Sequence, residues 1–169
     1  MKILDKLIER WKDIDYPFLV HSTGDLYFSE VTKQKAVDLS EVKNGDVVAL
    51  IGDFDPQSIL TLLQLIDKKA ILVPLTADTK AQHDYFFETA MVDVVVEGNL
   101  VRRIKHKSKH ELIEKLRFKV HAGLVLFSTG TTGRPKAILH DLTLFMRRFE
   151  TPTPRPTLKT INFLLFDHI

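Results

Sequence analysis

Four short runs, apolar almost throughout, recur along this chain: Val47 to Ile51, Ala70 to Leu75, Val92 to Val96 and Gly123 to Phe127. A strand with one wet face alternates apolar and polar residues, so runs like these need cover on both faces. The intervening segments can supply it. Ile59, Leu60, Leu63 and Ile66 recur at helical spacing behind Asp55-Pro56, an N-cap followed by the residue favoured at the first helical position. Helical patterns also span about Thr79 to Met91 and His110 to Arg117, and Leu100 to Ile104 adds a further strand. Strands alternating with helices predict an α/β fold, a mostly parallel sheet with helices on both faces. Ligands of such sheets gather beyond the carboxyl ends of the strands.

The flanks are read the same way. Ile3, Leu4, Leu7, Ile8 and Trp11 form one face of an amphipathic helix that packs on the core and ends before Pro17. Phe18 to His21 and Leu26 to Phe28 fit two short strands around a turn. Asp141 to Phe149 reads as a helix. Thr151-Pro152-Thr153-Pro154-Arg155-Pro156 is a stiff connector, and Ile161 to Phe166 is another buried-strand pattern.

Composition narrows the function classes. Apolar residues are 44% and charged residues 27%, the balance of a globular protein, and the net charge of +2 gives no electrostatic case for nucleic acid. Arg102 to His110 is locally basic but has no interleaved aromatics on which bases could stack. It fits a solvated loop or helix start, with a phosphate- or partner-binding patch as the alternative. There is no cysteine, hence no disulfide and no thiolate metal site. His21, His83, His110, His121 and His140 have no metal-ligand spacing with one another, and no metal site is expected. Asp5, Lys6, Glu9 and Arg10 break any apolar signal region, and no segment is long enough to span a membrane. A cytoplasmic protein is the expectation.

One loop stands out. Directly after the run ending at Phe127 come Ser128-Thr129-Gly130-Thr131-Thr132-Gly133-Arg134-Pro135-Lys136. Hydroxyls, glycines and a fixed cation at a strand end suit a multiply charged oxyanion. The order is not a Walker motif: Lys136 follows proline rather than glycine, and Ala137 follows where a hydroxyl for Mg²⁺ would be needed. A surface loop that happens to be rich in small polar residues is the bland alternative.

This order resembles the phosphate-binding loop of the adenylate-forming superfamily, which includes acyl-CoA synthetases, luciferases and the adenylation domains of peptide synthetases. Lys43-Asn44-Gly45-Asp46-Val47-Val48-Ala49-Leu50, Val73-Pro74-Leu75 and Phe166-Asp167-His168-Ile169 are similar to further segments of the family. The match departs at Ala137, where glycine is common, and at His140, which follows Lys136 one or two residues early. The resemblance implies a ligase that joins a small carboxylic acid to ATP, giving acyl-AMP and pyrophosphate, and then passes the acyl group to a thiol such as CoA. It assigns Ser128, Thr129, Gly130, Thr131, Thr132, Gly133 and Lys136 to the ATP phosphates, with Mg²⁺ accompanying ATP. His168 would line the pocket between acyl group and α-phosphate, against the alternative of a packing histidine. Family members are longer and carry later motifs that are not found here. Residues 1–169 are therefore expected to be the N-terminal portion of an AMP-binding domain, without the rest of the large domain or the C-terminal domain, and inactive in isolation. The competing reading is a free-standing nucleotide- or partner-binding module without catalysis.

Overall fold

In a computed structural model of the chain, residues 2–21, 24–105, 109–128, 133–149 and 165–168 are described. Six strands form the main sheet: β3 (Val47–Ile51), β4 (Ile71–Leu75), β5 (Val94–Glu97), β6 (Leu100–Arg103), β7 (Gly123–Ser128) and β8 (Lys136–Asp141). Their spatial order is β6-β5-β3-β4-β7-β8. The four central strands are parallel, as their apolar runs predict. The two edges are antiparallel: β6 folds back on β5, and β8 on β7.

Helices cover both faces. α3 (Pro56–Asp67) and α6 (Leu142–Arg147) lie on one side, where Leu65, Ile66 and Leu142 join Val48, Leu50, Leu72 and Val94. α4 (His83–Ala90) and α5 (Glu111–Lys119) lie on the other, where Phe86, Ala90, Ile113 and Leu116 join Val47, Ala49, Ile71 and Val73. Successive residues of β3 thus alternate between the two cores, which is why its run cannot contain a polar residue. A third cluster binds α1 (Ile3–Trp11) and α2 (Phe28–Lys33) to α3 through Phe28, Val31, Leu60 and Leu63. The first free amides of α1 are satisfied from α3: Asp67 accepts from Ile3 N at 2.6 Å and Leu4 N at 3.4 Å.

Several expectations need correction. β1 (Leu19–His21) and β2 (Gly24–Leu26) do pair as a hairpin, but Phe28 begins a helix rather than ending a strand. The Glu30 carboxylate accepts from Tyr27 N at 2.7 Å, closing the first turn of α2. α1 packs on the third cluster through Ile3, Leu4, Leu7 and Trp11 as expected, but Ile8 is 41% exposed. The pattern from Thr79 to Met91 divides into a 3-10 turn (Ala77–Gln82) and α4. Arg102 and Arg103 belong to edge strand β6, and only His110 begins a helix, its Nδ1 accepting from Leu112 N. The sequence reading did not foresee β8, whose alternation is that of a half-covered edge. Residues 150–164, including the connector and most of the run from Ile161, lie outside the described residues; Phe166–His168 form a 3-10 turn, not a strand end.

The amino ends of the strands are held by charge. Arg103 on β6 meets both Asp46 oxygens, at 2.8 and 3.2 Å, and donates to Glu41 O. Arg117 at the end of α5 donates to Gly45 O at 2.9 Å, to Glu114 at 2.6 Å and to Asp93 at 2.8 Å. The same Asp93 oxygen accepts from Val47 N at 2.8 Å, joining β3, β5 and α5 in one knot. Gly45 has φ +77°, and a Cβ there would lie 2.9 Å from Arg117 Cγ, so this turn excludes a side chain on two counts.

Candidate functional site

The geometry of the carboxyl ends follows from Pro74. Along β4, Ile71 N donates toward β3, to Asp46 O, while Ala70 O accepts from Gly123 N on the β7 side. Direction alternates along a strand, so Pro74 faces β7 and has no N–H to give it. Pairing between β4 and β7 stops after Ile71–Gly123 and Leu72–Leu124. The strands then part, and Phe166 fills the base of the gap, 1% exposed and edge-on to Phe54 with ring centroids 5.6 Å apart. The connections leaving β3 and β4 go to opposite faces, through α3 and α4, while the two strands stay paired to their ends, with Gly52 N donating to Leu75 O at 2.9 Å.

Three segments border this rim. After β3 comes Gly52, where a Cβ would lie 2.3 Å from Ser58 Oγ. Ser58 is held by Asp55, which caps α3 by accepting from Gln57 N at 2.9 Å and Ser58 N at 3.0 Å, as the sequence predicts. After β4 comes Thr76, whose carbonyl oxygen lies 3.0 Å from His83 Nε2. Its own buried hydroxyl has no partner among the described residues. After β7 comes the loop itself.

The loop is closed at its base. Ser128 pairs with Lys136, so the exit returns as β8 beside the strand it left. Lys136 is exposed, and no ion pair among the described residues uses it. Pro135 is held through its carbonyl, which accepts from Tyr85 Oη at 2.8 Å, and the Arg134 guanidinium lies 5.5 Å from the Tyr85 ring centroid. Ala137 faces the same core as Leu139, consistent with a strand rather than a turn at that position. Gly133 is exposed, is not among the described residues of positive φ, and a Cβ there would touch nothing within 4 Å, so its geometry is open to other residues. Thr129, Gly130, Thr131 and Thr132 lie outside the described residues, as does the side chain of His168. The structure thus joins Ser128, Gly133 and Lys136 at one strand end and sets the turn containing His168 on the same rim.

Two hollows flank the exit. One of about 90 Å³ lies between Leu75, Phe86, Phe127, Pro135 and Asp167. Another of about 390 Å³, between α4, α5 and β8, is bordered by Tyr85, His110 and Lys136. A larger concavity than these two, about 690 Å³, lies elsewhere among the described residues, bordered by Leu62, Leu126, Leu144 and Phe145 on the α3–α6 face. It is lined mainly by hydrocarbon, with His140, Asp141 and Arg148 at its border, and Ser128, Gly133 and Lys136 do not line it.

Comparison with known proteins returns no matching family model and no matching curated protein. Solved structures do match. The N-terminal subdomain of Klebsiella oxytoca NpsA, in complex with anthranilyl-AMSN, superposes with TM-score 0.55 at 17% identity, over 89% of this chain and 43% of that one. NpsA-ThdA, an artificially fused adenylation–PCP di-domain from Klebsiella oxytoca, gives TM-score 0.52 at 17% identity, over 80% and 31%. VinN in complex with L-aspartate gives 0.51 at 14%, over 85% and 48%. The chain shares its fold with these solved structures. The chain spans less than half the length of these solved structures. Among the described residues, no helix is long and apolar enough to cross a membrane, and no group of three His, Cys, Asp or Glu could hold a metal ion.

Proposed function

We propose that this chain carries the phosphate-gripping part of an ATP-dependent carboxylate-activating ligase. In the reaction a carboxylate oxygen attacks the α-phosphorus of ATP, the bond to the bridging oxygen breaks, and pyrophosphate leaves. A thiol, CoA or a carrier-bound equivalent, then takes the acyl group and releases AMP. The observation that carries this reading is the placement of Lys136. It is an exposed cation without a carboxylate partner among the described residues, at the exit of a hydroxyl- and glycine-rich loop on the carboxyl rim of an adenylation-type sheet.

The chemical problem is charge. Two anions must meet, and pyrophosphate must leave carrying concentrated negative charge, so donors fixed beforehand lower the barrier. Lys136 supplies a point charge to the β- and γ-phosphates. Ser128 through Gly133 supply hydroxyl and amide donors, and residues 166–168 border the position of the acyl group and the α-phosphate. The described residues do not form a magnesium cage, so Mg²⁺ enters this reading only as a companion of ATP, and no step is assigned to a protein-bound ion. This chain is assigned only the phosphate-gripping part of that reaction.

The test is titration of the chain with ATP and with inorganic tripolyphosphate. A charge-assisted contact is worth about 1.5–3 kcal/mol, so Lys136→Ala should weaken either ligand by roughly ten- to a hundredfold. Equal affinity of Lys136→Ala and the parent would sink the assignment. Absence of binding by the parent would remove the phosphate reading altogether.

A further inference from the structure

We propose that Tyr85 is a positioning residue for Lys136, acting through the Pro135 carbonyl; the inference rests on the phosphate reading of the loop. Tyr85 is fifty positions away in sequence and reaches the loop from α4. Its hydroxyl donates to Pro135 O at 2.8 Å. Proline has no N–H, so this carbonyl is the only backbone group by which residue 135 can be held. The peptide unit is planar, so fixing the Pro135 oxygen also fixes the direction of the Lys136 amide and the place of its Cα. On the other side Lys136 is paired with Ser128. The backbone that carries the cation is therefore set from two directions, by a hairpin partner and by a tyrosine on a separate helix.

The donor is itself anchored. His83 Nε2, two residues earlier, lies 3.0 Å from Thr76 O and 3.2 Å from Thr79 Oγ1, tying the start of α4 to the end of β4. Phe86, the next residue, is 4% exposed and its ring centroid lies 4.2 Å from that of Phe127 on β7. Tyr85 thus stands between two fixed points, while its ring carries Arg134 above it at 5.5 Å. A binding group supported by a rigid second layer loses less freedom when its ligand arrives. Tyr85 would supply that support without touching the phosphate.

The experiment compares the parent chain, Tyr85→Phe and Lys136→Ala by tripolyphosphate titration, urea unfolding and the amide NMR resonance of residue 136. Tyr85→Phe keeps the ring and its packing and removes only the donor. The expected result is affinity weaker by about three- to tenfold, an almost unchanged unfolding midpoint, and a Lys136 amide resonance displaced in the free protein. In the parent and in Tyr85→Phe that resonance responds to tripolyphosphate. Parent-like affinity and an undisplaced resonance in Tyr85→Phe, with Lys136→Ala still weakened, would overturn the positioning role and leave the phosphate reading standing. Lack of tripolyphosphate binding by the parent would overturn both.

Discussion

The two ends of the parallel strands carry opposite chemistry. At the amino ends, Asp46 and Asp93 face Arg103 and Arg117, and each charge meets a counter-charge or a backbone group. At the carboxyl ends, the chain places Gly52, Thr76, Ser128 and Lys136, small or polar, with Arg134 and Lys136 both exposed. The first arrangement holds strands in register; the second leaves donors available. An α/β sheet can divide labour this way because helices cover both faces, and only the strand ends remain for polar work.

The sharpest way to break the comparison is to cut the charged knot. Arg117 joins α5 to Gly45 and Asp93, and Asp93 in turn accepts from the β3 amide. Arg117→Ala removes the guanidinium bonds to Asp93, Glu114 and the Gly45 carbonyl and should lower unfolding free energy by about 2–4 kcal/mol, measured in urea. Tripolyphosphate affinity of the folded fraction should stay at the parent value. A variant that lost affinity while keeping its stability would mean that the amino ends also serve the site.

Gly52→Ala tests the other end. The rim has its own structural demand, set by space rather than charge. A methyl at Gly52 would drive into Ser58 Oγ and Cβ, 2.3 and 2.8 Å away, and disturb the Asp55 cap. A loss of about 1–3 kcal/mol is expected in the same unfolding measurement. A neutral substitution would show that α3 can retreat from β3.

The fold was legible because apolar runs and helix spacing act locally. Val47–Ile51 could only be a strand covered on both sides, and Asp55-Pro56 marked a helix start that the structure repeats atom by atom. What escaped notice depends on a distant partner in some places and on an unmarked local turn in others. β8 is a strand because β7 offers it an edge, and its sequence, Lys136 to Asp141, carries half the apolar signal of a buried run. Phe28 starts a helix because Glu30 reaches back to Tyr27, although its apolar neighbours look strand-like. α4 and α5 end at Met91 and Val120 with φ +57° and +55°, positions where glycine would have announced the stop. The loop was conspicuous by composition, but its support by Tyr85 had no sequence signal, since nothing near Tyr85 points to Pro135.

The smallest expected effect concerns pH and lies at the amino ends. His121 Nδ1 lies 2.8 Å from Asp141, which also caps α6 by accepting from Leu144 N at 3.0 Å. Burial pushes the Asp141 carboxyl upward, but the hydrogen bonds from His121 and Leu144 and the charges of His121 and Lys119 outweigh it, so the group stays below its ordinary value. A carboxyl depressed on folding stabilises the protein while ionised, above its unfolded value near 4, and that stability is lost as pH falls through the lower folded value. Asp141→Asn should therefore be less stable than the parent by about 1 kcal/mol at pH 6, with the gap closing as pH falls below about 4. Asp38, also depressed and hydrogen-bonded to Ser40, titrates in both proteins and cancels from the difference. A gap that persisted at low pH would assign the loss to the shape of the cap rather than to its charge. The floor of the sheet would then be held at this corner by packing, and the electrostatic contrast between the two ends would rest on the Asp46–Arg103 and Asp93–Arg117 pairs alone.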